Sequence, residues 1–208
     1  MDWIKLVAFD MYRTCLHIQG EEEHIPLLSS ILNVDRRILS QVFLTVDEPL
    51  ETSISLLNVD QADSLAIETI FKPKVKKSLE NILLFPETMN TLETLKKKGY
   101  AIAVVSNVSA DFVAPIQKYF PSIFDYEILS CKEGVKKPQK EIFELLIERS
   151  WYKADEIIMV WDSLESDVGW AKNIGINAVL IDRTAEGIEQ CNWYTKISSL
   201  DQVIELLK

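Results

Sequence analysis

Apolar positions along the chain follow two rhythms. One is a set of short, nearly continuous apolar runs that stop at a polar residue. Ile4–Phe9 stops at Asp10, Tyr100–Val105 at Ser106-Asn107, Ile157–Trp161 at Asp162, and Asn177–Ile181 at Asp182. These runs are too short for ordinary helices and rich in branched side chains, so they predict strands buried on both faces. Tyr126–Leu129 adds a short strand, and 195–197 a weaker one. The other rhythm is helical: Met89, Leu92 and Leu95; Phe112, Val113, Ile116 and Tyr119; Ile142, Phe143, Leu146 and Ile147. A further helix is expected through Val168 and Ala171 to Gly175, and a last one over Asp201–Leu207. Gly99 fits the left-handed position after a helix end. Strands alternating with helices predict parallel pairing with right-handed crossovers, hence an α/β, doubly wound parallel sheet.

Between the first strand and the second the pattern is helical throughout. Leu27, Leu28, Ile31 and Leu32 form one face, and Asp35 is placed to cap a helix over Ile38, Leu39, Val42 and Phe43. A third helix begins near Pro49. A fourth begins near Asp60, and Pro73 leaves its end open. The expected organisation is an α/β core from residues 1–15 and 85–208, with a small all-helical domain over 16–84 inserted after the first strand.

Charge narrows the partners. A formal net charge of -10 argues against nucleic acid, since phosphate backbones need clustered Lys and Arg. No apolar run is long enough to cross a bilayer. No secretion signal is recognised at the N-terminus, which points to a cytoplasmic protein. Three scattered cysteines without a CxxC pair indicate reduced thiols rather than a zinc site or disulfides.

In a parallel sheet the carboxyl ends of all strands share one edge. Asp10, Ser106-Asn107, the Lys136-Lys137 loop, and Asp162 with Asp167 therefore converge, where open α/β sheets bind ligands. Two carboxylates at strand ends suit Mg²⁺, which takes a few carboxylates, water and a phosphate. A hydroxyl, amides and a lysine suit the remaining phosphate oxygens. One carboxylate would attack phosphorus to give an aspartyl-phosphate, with catalysis resting on positioning and charge neutralisation. The partner this implies is a small anionic molecule.

Over almost its full length the chain resembles the haloacid dehalogenase (HAD)-like hydrolase superfamily. Asp10-Met11-Tyr12-Arg13-Thr14 resembles its first motif, Val104-Val105-Ser106-Asn107 the second, Lys137-Pro138 the third, and Val160-Trp161-Asp162-Ser163 with Asp167 the acidic fourth. The helical insertion lies where that superfamily carries a small cap. The resemblance implies Asp10 as nucleophile and magnesium ligand, joined by the Tyr12 carbonyl and Asp162. Asp167 would support the metal shell or orient Lys137. Ser106 and Lys137 would bind phosphate with Asn107, and Thr14 would hold the loop.

Three positions depart from the pattern. Tyr12 stands where the phosphatases carry a second Asp; a phenol with pKa of about 10 can donate a proton but is a poor base. The superfamily's 2-haloacid dehalogenases carry Tyr there and work without metal, which supplies an alternative reading. The acidic pair Asp162 and Asp167 favours the Mg²⁺-dependent phosphatase. Arg13 and Trp161 stand where Gly is usual. They suggest a third reading, a weakened relative acting by binding. Trp161 either crowds the site or packs on the first strand; Arg13 either narrows the pocket, binds an anionic leaving group or, the favoured reading, faces solvent. Cys15 is assigned to packing, and Arg36 and Arg37 to the surface. His17 and His24 are read as linker and surface residues, and Lys136 as solvated.

Overall fold

A computed structural model describes residues 3–20, 24–55, 57, 60–163 and 174–207. Strand β1 (Leu6–Phe9) runs through the Asp10 loop into β2 (Leu16–Ile18). Helices α1 (His24–Leu32), α2 (Arg36–Leu44), α3 (Leu50–Ser55) and α4 (Gln61–Ala66) follow. A π-helical turn (Ile67–Phe71) leads into α5 (Lys72–Glu80), and β3 (Ile82–Leu84) brings the chain back. Then come α6 (Thr88–Lys97), β4 (Ala101–Ser106), α7 (Val113–Tyr119), β5 (Tyr126–Leu129), α8 (Ser130–Glu133) and α9 (Lys140–Ser150). The chain ends with β6 (Ile157–Trp161), β7 (Asn177–Ile181), β8 (Glu189–Gln190), β9 (Tyr194–Ile197) and α10 (Gln202–Leu206).

Seven strands form one sheet in the order β5-β4-β1-β6-β7-β9-β8, parallel except for β8 against β9. After β1 the chain builds outward through β4 and β5. It then crosses back and builds the other way through β6, β7 and β9. The direction reverses between β1 and β6, the topological switch point at which such sheets bind ligands. Phe9 is level with Val104 on one side and Val160 on the other. Asp10 therefore emerges level with the ends of both neighbours.

The pleat sorts β1 onto both faces, as expected for a doubly covered sheet. Val7 and Phe9 join a core with Leu92, Leu95, Ile116 and Val203. Leu6 and Ala8 join the opposite layer with Ile142, Phe143 and Leu146 of α9. Trp161 belongs to this second layer, its ring 6.5 Å from that of Phe143. It packs away from the first core rather than crowding the loop after β1.

Asp35 caps α2 by accepting the Arg37 N–H, and Asp60 caps α4 through the Asp63 N–H. Gly99 follows α6 at φ +91°. Arg36 and Arg37 are exposed, as expected. Pro73 does not end its helix. It sits in the first turn of α5, and the π-helical turn before it widens the ladder, with the Lys72 N–H donating to the Ile67 carbonyl. Widening makes room for a ring that would clash with a regular preceding turn.

The sequence reading missed β2 and β3, which pair antiparallel as a separate ribbon, and also the short β8 and α8. Each is four residues or fewer, too short to display a period. The helix expected through Val168 and Ala171, and Asp167 with it, lies outside the described residues.

Candidate active site

The loop from Asp10 to Leu16 is tied to itself. The N–H groups of Cys15 and Leu16 donate to the Met11 carbonyl at 2.8 and 2.9 Å, and the Arg13 N–H donates to the Leu16 carbonyl at 2.6 Å. Closing so tight a turn forces Arg13 to φ +67°, a region that favours glycine. Arg13 is exposed, yet it also lines the cavity beside this loop and lies near Asp162. Burial pushes the Cys15 thiol far above its ordinary pKa, so it is inert packing.

Asp10 is aimed by three contacts. Its N–H donates to the Val160 carbonyl at 2.9 Å, one carboxylate oxygen accepts the Met11 N–H at 2.7 Å, and the other pairs with Lys137 Nζ at 2.6 Å. The pair is nearly dry, with side chains 13 % and 1 % exposed for Asp10 and Lys137. Removing one partner of such a pair strands a buried charge, at a cost of about 3–5 kcal/mol.

Lys137 is held by Asn107. The Lys137 N–H donates to Asn107 Oδ1 at 2.7 Å, and Asn107 Nδ2 donates to the Lys137 carbonyl at 2.8 Å. Asn107 thereby positions the lysine, and these two bonds leave the second N–H of its Nδ2 unused. Lys136 is only half-buried, its N–H bonded to Gln139; Lys137 is the lysine at the site.

Ser106 ends β4 fully buried, and its hydroxyl has no partner among the described residues. Buried hydroxyls are normally satisfied, so this one is available to a ligand. The Thr14 hydroxyl is also buried and unpartnered there, in the loop that carries Asp10. Asp162, after β6, feels burial first and the Asp10 charge second. Together they push its carboxyl up to about 6, against the opposing pull of Lys137 and Arg13.

Tyr12 is held in place by its neighbours. Its hydroxyl donates to the Phe112 carbonyl at 2.9 Å, its ring meets Phe112 edge-on at 5.7 Å, and burial pushes the phenol well above its ordinary value. The side chain forms part of the wall here, with its hydroxyl proton directed to the Phe112 carbonyl.

Two contributors were missed. Arg183, just after β7, donates to the Thr14 carbonyl at 2.9 Å and to Glu87 at 2.6 Å, and stacks on Phe85 at 3.3 Å. It thereby fastens the Asp10 loop to the segment leading out of β3. The signal was present, because Asp182-Arg183 ends a predicted strand at the same edge. His24 is the other. It lines a cavity of about 380 Å³ beside Tyr12 and Asn107, and was read as a surface residue.

The arrangement brings together Asp10, Lys137 and Asp162, with Ser106 at the end of the neighbouring strand β4. Among the described residues there is no group of three or more His, Cys, Asp or Glu able to hold a metal. Two half-buried carboxylates at neighbouring strand ends, Asp10 and Asp162, nevertheless suit a hard cation.

Relatives carry the same theme. The chain is 32 % identical over 110 residues to a ribulose-1,5-bisphosphate 5-phosphatase of Halopiger xanaduensis, covering 52 % of this chain and 46 % of that protein. It is 34 % identical over 96 residues to a glyceraldehyde 3-phosphate phosphatase of Pyrococcus furiosus, covering 45 % of this chain and 40 % of that protein. The chain thus spans less than half the length of either. A HAD phosphatase from Thermococcus onnurineus superposes with a TM-score of 0.66 at 24 % identity, over 98 % of both chains. The model of the haloacid dehalogenase-like hydrolase family matches residues 37–181, and the chain belongs to that family.

Proposed function

We propose that this protein is a Mg²⁺-dependent phosphatase that hydrolyses a small phosphorylated metabolite through an aspartyl-phosphate on Asp10. The observation that carries the reading is the Lys137–Asp10 pair beside the unpartnered Ser106 hydroxyl. A carboxylate aimed by its own loop, a buried cation and a free buried donor converge on one small anion. Asp10 and Asp162, with the Tyr12 carbonyl and Asp167 as the family resemblance implies, would hold the cation. Bound there, Mg²⁺ would neutralise phosphate charge and let both carboxylates stay ionised.

In the first step an Asp10 carboxylate oxygen forms a bond to phosphorus as the bond to the alcohol oxygen breaks. The departing alkoxide takes its proton from water, since the Tyr12 hydroxyl is committed to Phe112. Lys137 and Ser106 hold the phosphoryl oxygens throughout. Water then attacks phosphorus, releasing phosphate and restoring the carboxylate. Residues 16–84 act as a cap over this pocket, excluding bulk water. A cytoplasmic location belongs to the same reading. Among the described residues no helix is long and apolar enough to cross a membrane.

A phosphate-ester panel with and without Mg²⁺ tests the proposal. The expected outcome is Mg²⁺-dependent phosphate release that Asp10→Asn abolishes; turnover no higher than that control defeats it. Tyr12 keeps a dehalogenase reading in view, and chloride release from 2-chloropropionate without metal would establish it instead.

A further inference from the structure

The cavity beside the site reveals more about the substrate than the phosphate cradle does. It lies between the helices of 24–80 and the loops after β1 and β4, with Tyr12 and Asn107 at the end nearest Asp10 and Ser106. About 380 Å³ places it at the small end of ligand pockets. Its walls are mainly Leu28, Phe43, Leu44, Leu50, Phe71 and Phe112. Phe71 comes from the π-helical turn and is fully buried. Such turns are frequent at functional sites.

Several polar side chains of the lining are already bonded to protein. His24 Nε2 is bonded to Ser78 Oγ at 2.9 Å, and the Tyr12 hydroxyl to the Phe112 carbonyl. Asp111 accepts the Leu50 N–H at 2.7 Å, and both amide atoms of Asn107 hold Lys137. Arg13 lies near Asp162 and belongs with the charged end. Ser109 is left as the one lining hydroxyl with no side-chain partner among the described residues. A sugar or polyol entering here would lose its bonds with water against walls that are mostly apolar, and regain only the few that Ser109, the second oxygen of Asp111 and the second N–H of Asn107 can offer. Each hydroxyl buried in that way lowers affinity roughly tenfold.

We infer that the phosphate ester this site accepts has an apolar alcohol, a short alkyl or an aryl group, rather than a polyhydroxylated one. The inference rests on the phosphatase reading for the placement of the phosphate, and goes beyond it by naming what lies on the other side of the scissile bond. The fit is complementary end to end. Lys137 and Ser106 meet the anion, and the apolar walls contributed by α1, α2, α3 and the π-helical turn meet the alcohol.

Binding to the full-length Asp10→Asn variant, which cannot turn substrate over, separates the two ideas. Titration calorimetry with Mg²⁺ compares phenyl phosphate and n-butyl phosphate with glycerol 3-phosphate. The first two are expected to bind about tenfold tighter or better. Adding Leu44→Asn, at a half-buried wall position, is expected to reduce the preference to about threefold or less, while circular dichroism stays unchanged. Leu50→Asn serves as an independent second variant. Glycerol 3-phosphate binding as tightly as the apolar esters, or no binding by any of them, overturns the inference. A wild-type protein that binds phenyl phosphate selectively but releases no phosphate leaves the apolar preference standing and defeats the phosphatase reading alone.

Discussion

The carboxyl group of Asp162 sits under opposed influences, and the balance makes a measurable prediction. Burial and the Asp10 charge raise its pKa to about 6 in the folded chain, against about 3.9 when unfolded. Below about pH 3 both states are protonated and nothing is lost. Between pH 4 and 6 the unfolded chain ionises first, so folding stability falls as pH rises and stays lower above 6. The size is about 2–3 kcal/mol, at 1.36 kcal/mol per pKa unit. Without metal, Asp162→Asn should therefore be more stable than the parent at pH 7.5 by about 2 kcal/mol. The difference should shrink to nothing by about pH 3, read from urea midpoints. The same variant should lose phosphatase activity, and Mg²⁺ should stabilise the parent more than the variant. The polar strand ends made the residues of this site legible, because a carboxylate terminating an apolar run needs no structure to be noticed. The commitments of Tyr12 and Asn107 were not legible. Their partners, Phe112 and Lys137, are 100 and 30 residues away, and local pattern carries no trace of such pairings.

At the scale of elements, the strands with long apolar runs were readable, and β5, β6 and β7 match their expected bounds. The ribbon of β2 and β3 was not, because each strand has three residues and is defined only by pairing across the whole insertion. The ribbon matters because its two strands carry the chain out to the helices and back. Arg183 secures this junction from β7. It bonds the Thr14 carbonyl in the Asp10 loop and Glu87 at the start of α6, while its plane covers Phe85. An Arg fork spans two acceptors that a point ammonium cannot. Arg183→Met should cost about 2 kcal/mol of stability through the lost charge-assisted bonds, a fall in melting temperature of roughly 4–8 °C for a chain of this size. Because the loop it holds aims Asp10, kcat should fall more than KM rises. Arg183→Lys should recover little of either. A kcat left at the parent value would mean that the contact is structural only.

For the whole molecule, the decisive geometry is that the insertion leaves and returns at one place. Ile18 is paired with Ile82, and the Gln19 N–H donates to the Asn81 carbonyl. The helices between those points are one excursion from a closed antiparallel ribbon. The α/β layers have their own packed faces on both sides of β1. Helical residues such as Leu28, Phe43 and Phe71 join only one of the two, on the side that includes Phe9, Met11 and Phe112. Replacing residues 20–80 by a short turn should therefore leave a sheet protein that unfolds cooperatively, with a smaller helical signal in circular dichroism. It should also bind more of an apolar dye, because Met11 and Phe112 lose their cover. Asp10, Ser106, Lys137 and Asp162 all come from the retained part, so a small reactive ester such as acetyl phosphate should still be hydrolysed with Mg²⁺, more slowly because water is no longer excluded. Preference for phenyl phosphate over glycerol 3-phosphate should vanish, since the walls from the helices of the insertion are gone. If the excised chain fails to fold, residues 16–84 are part of one indivisible core and not a separate cap. If it folds and keeps its apolar preference, selectivity resides in the loops after β1 and β4, with Phe112 foremost, and the helices serve only to exclude water.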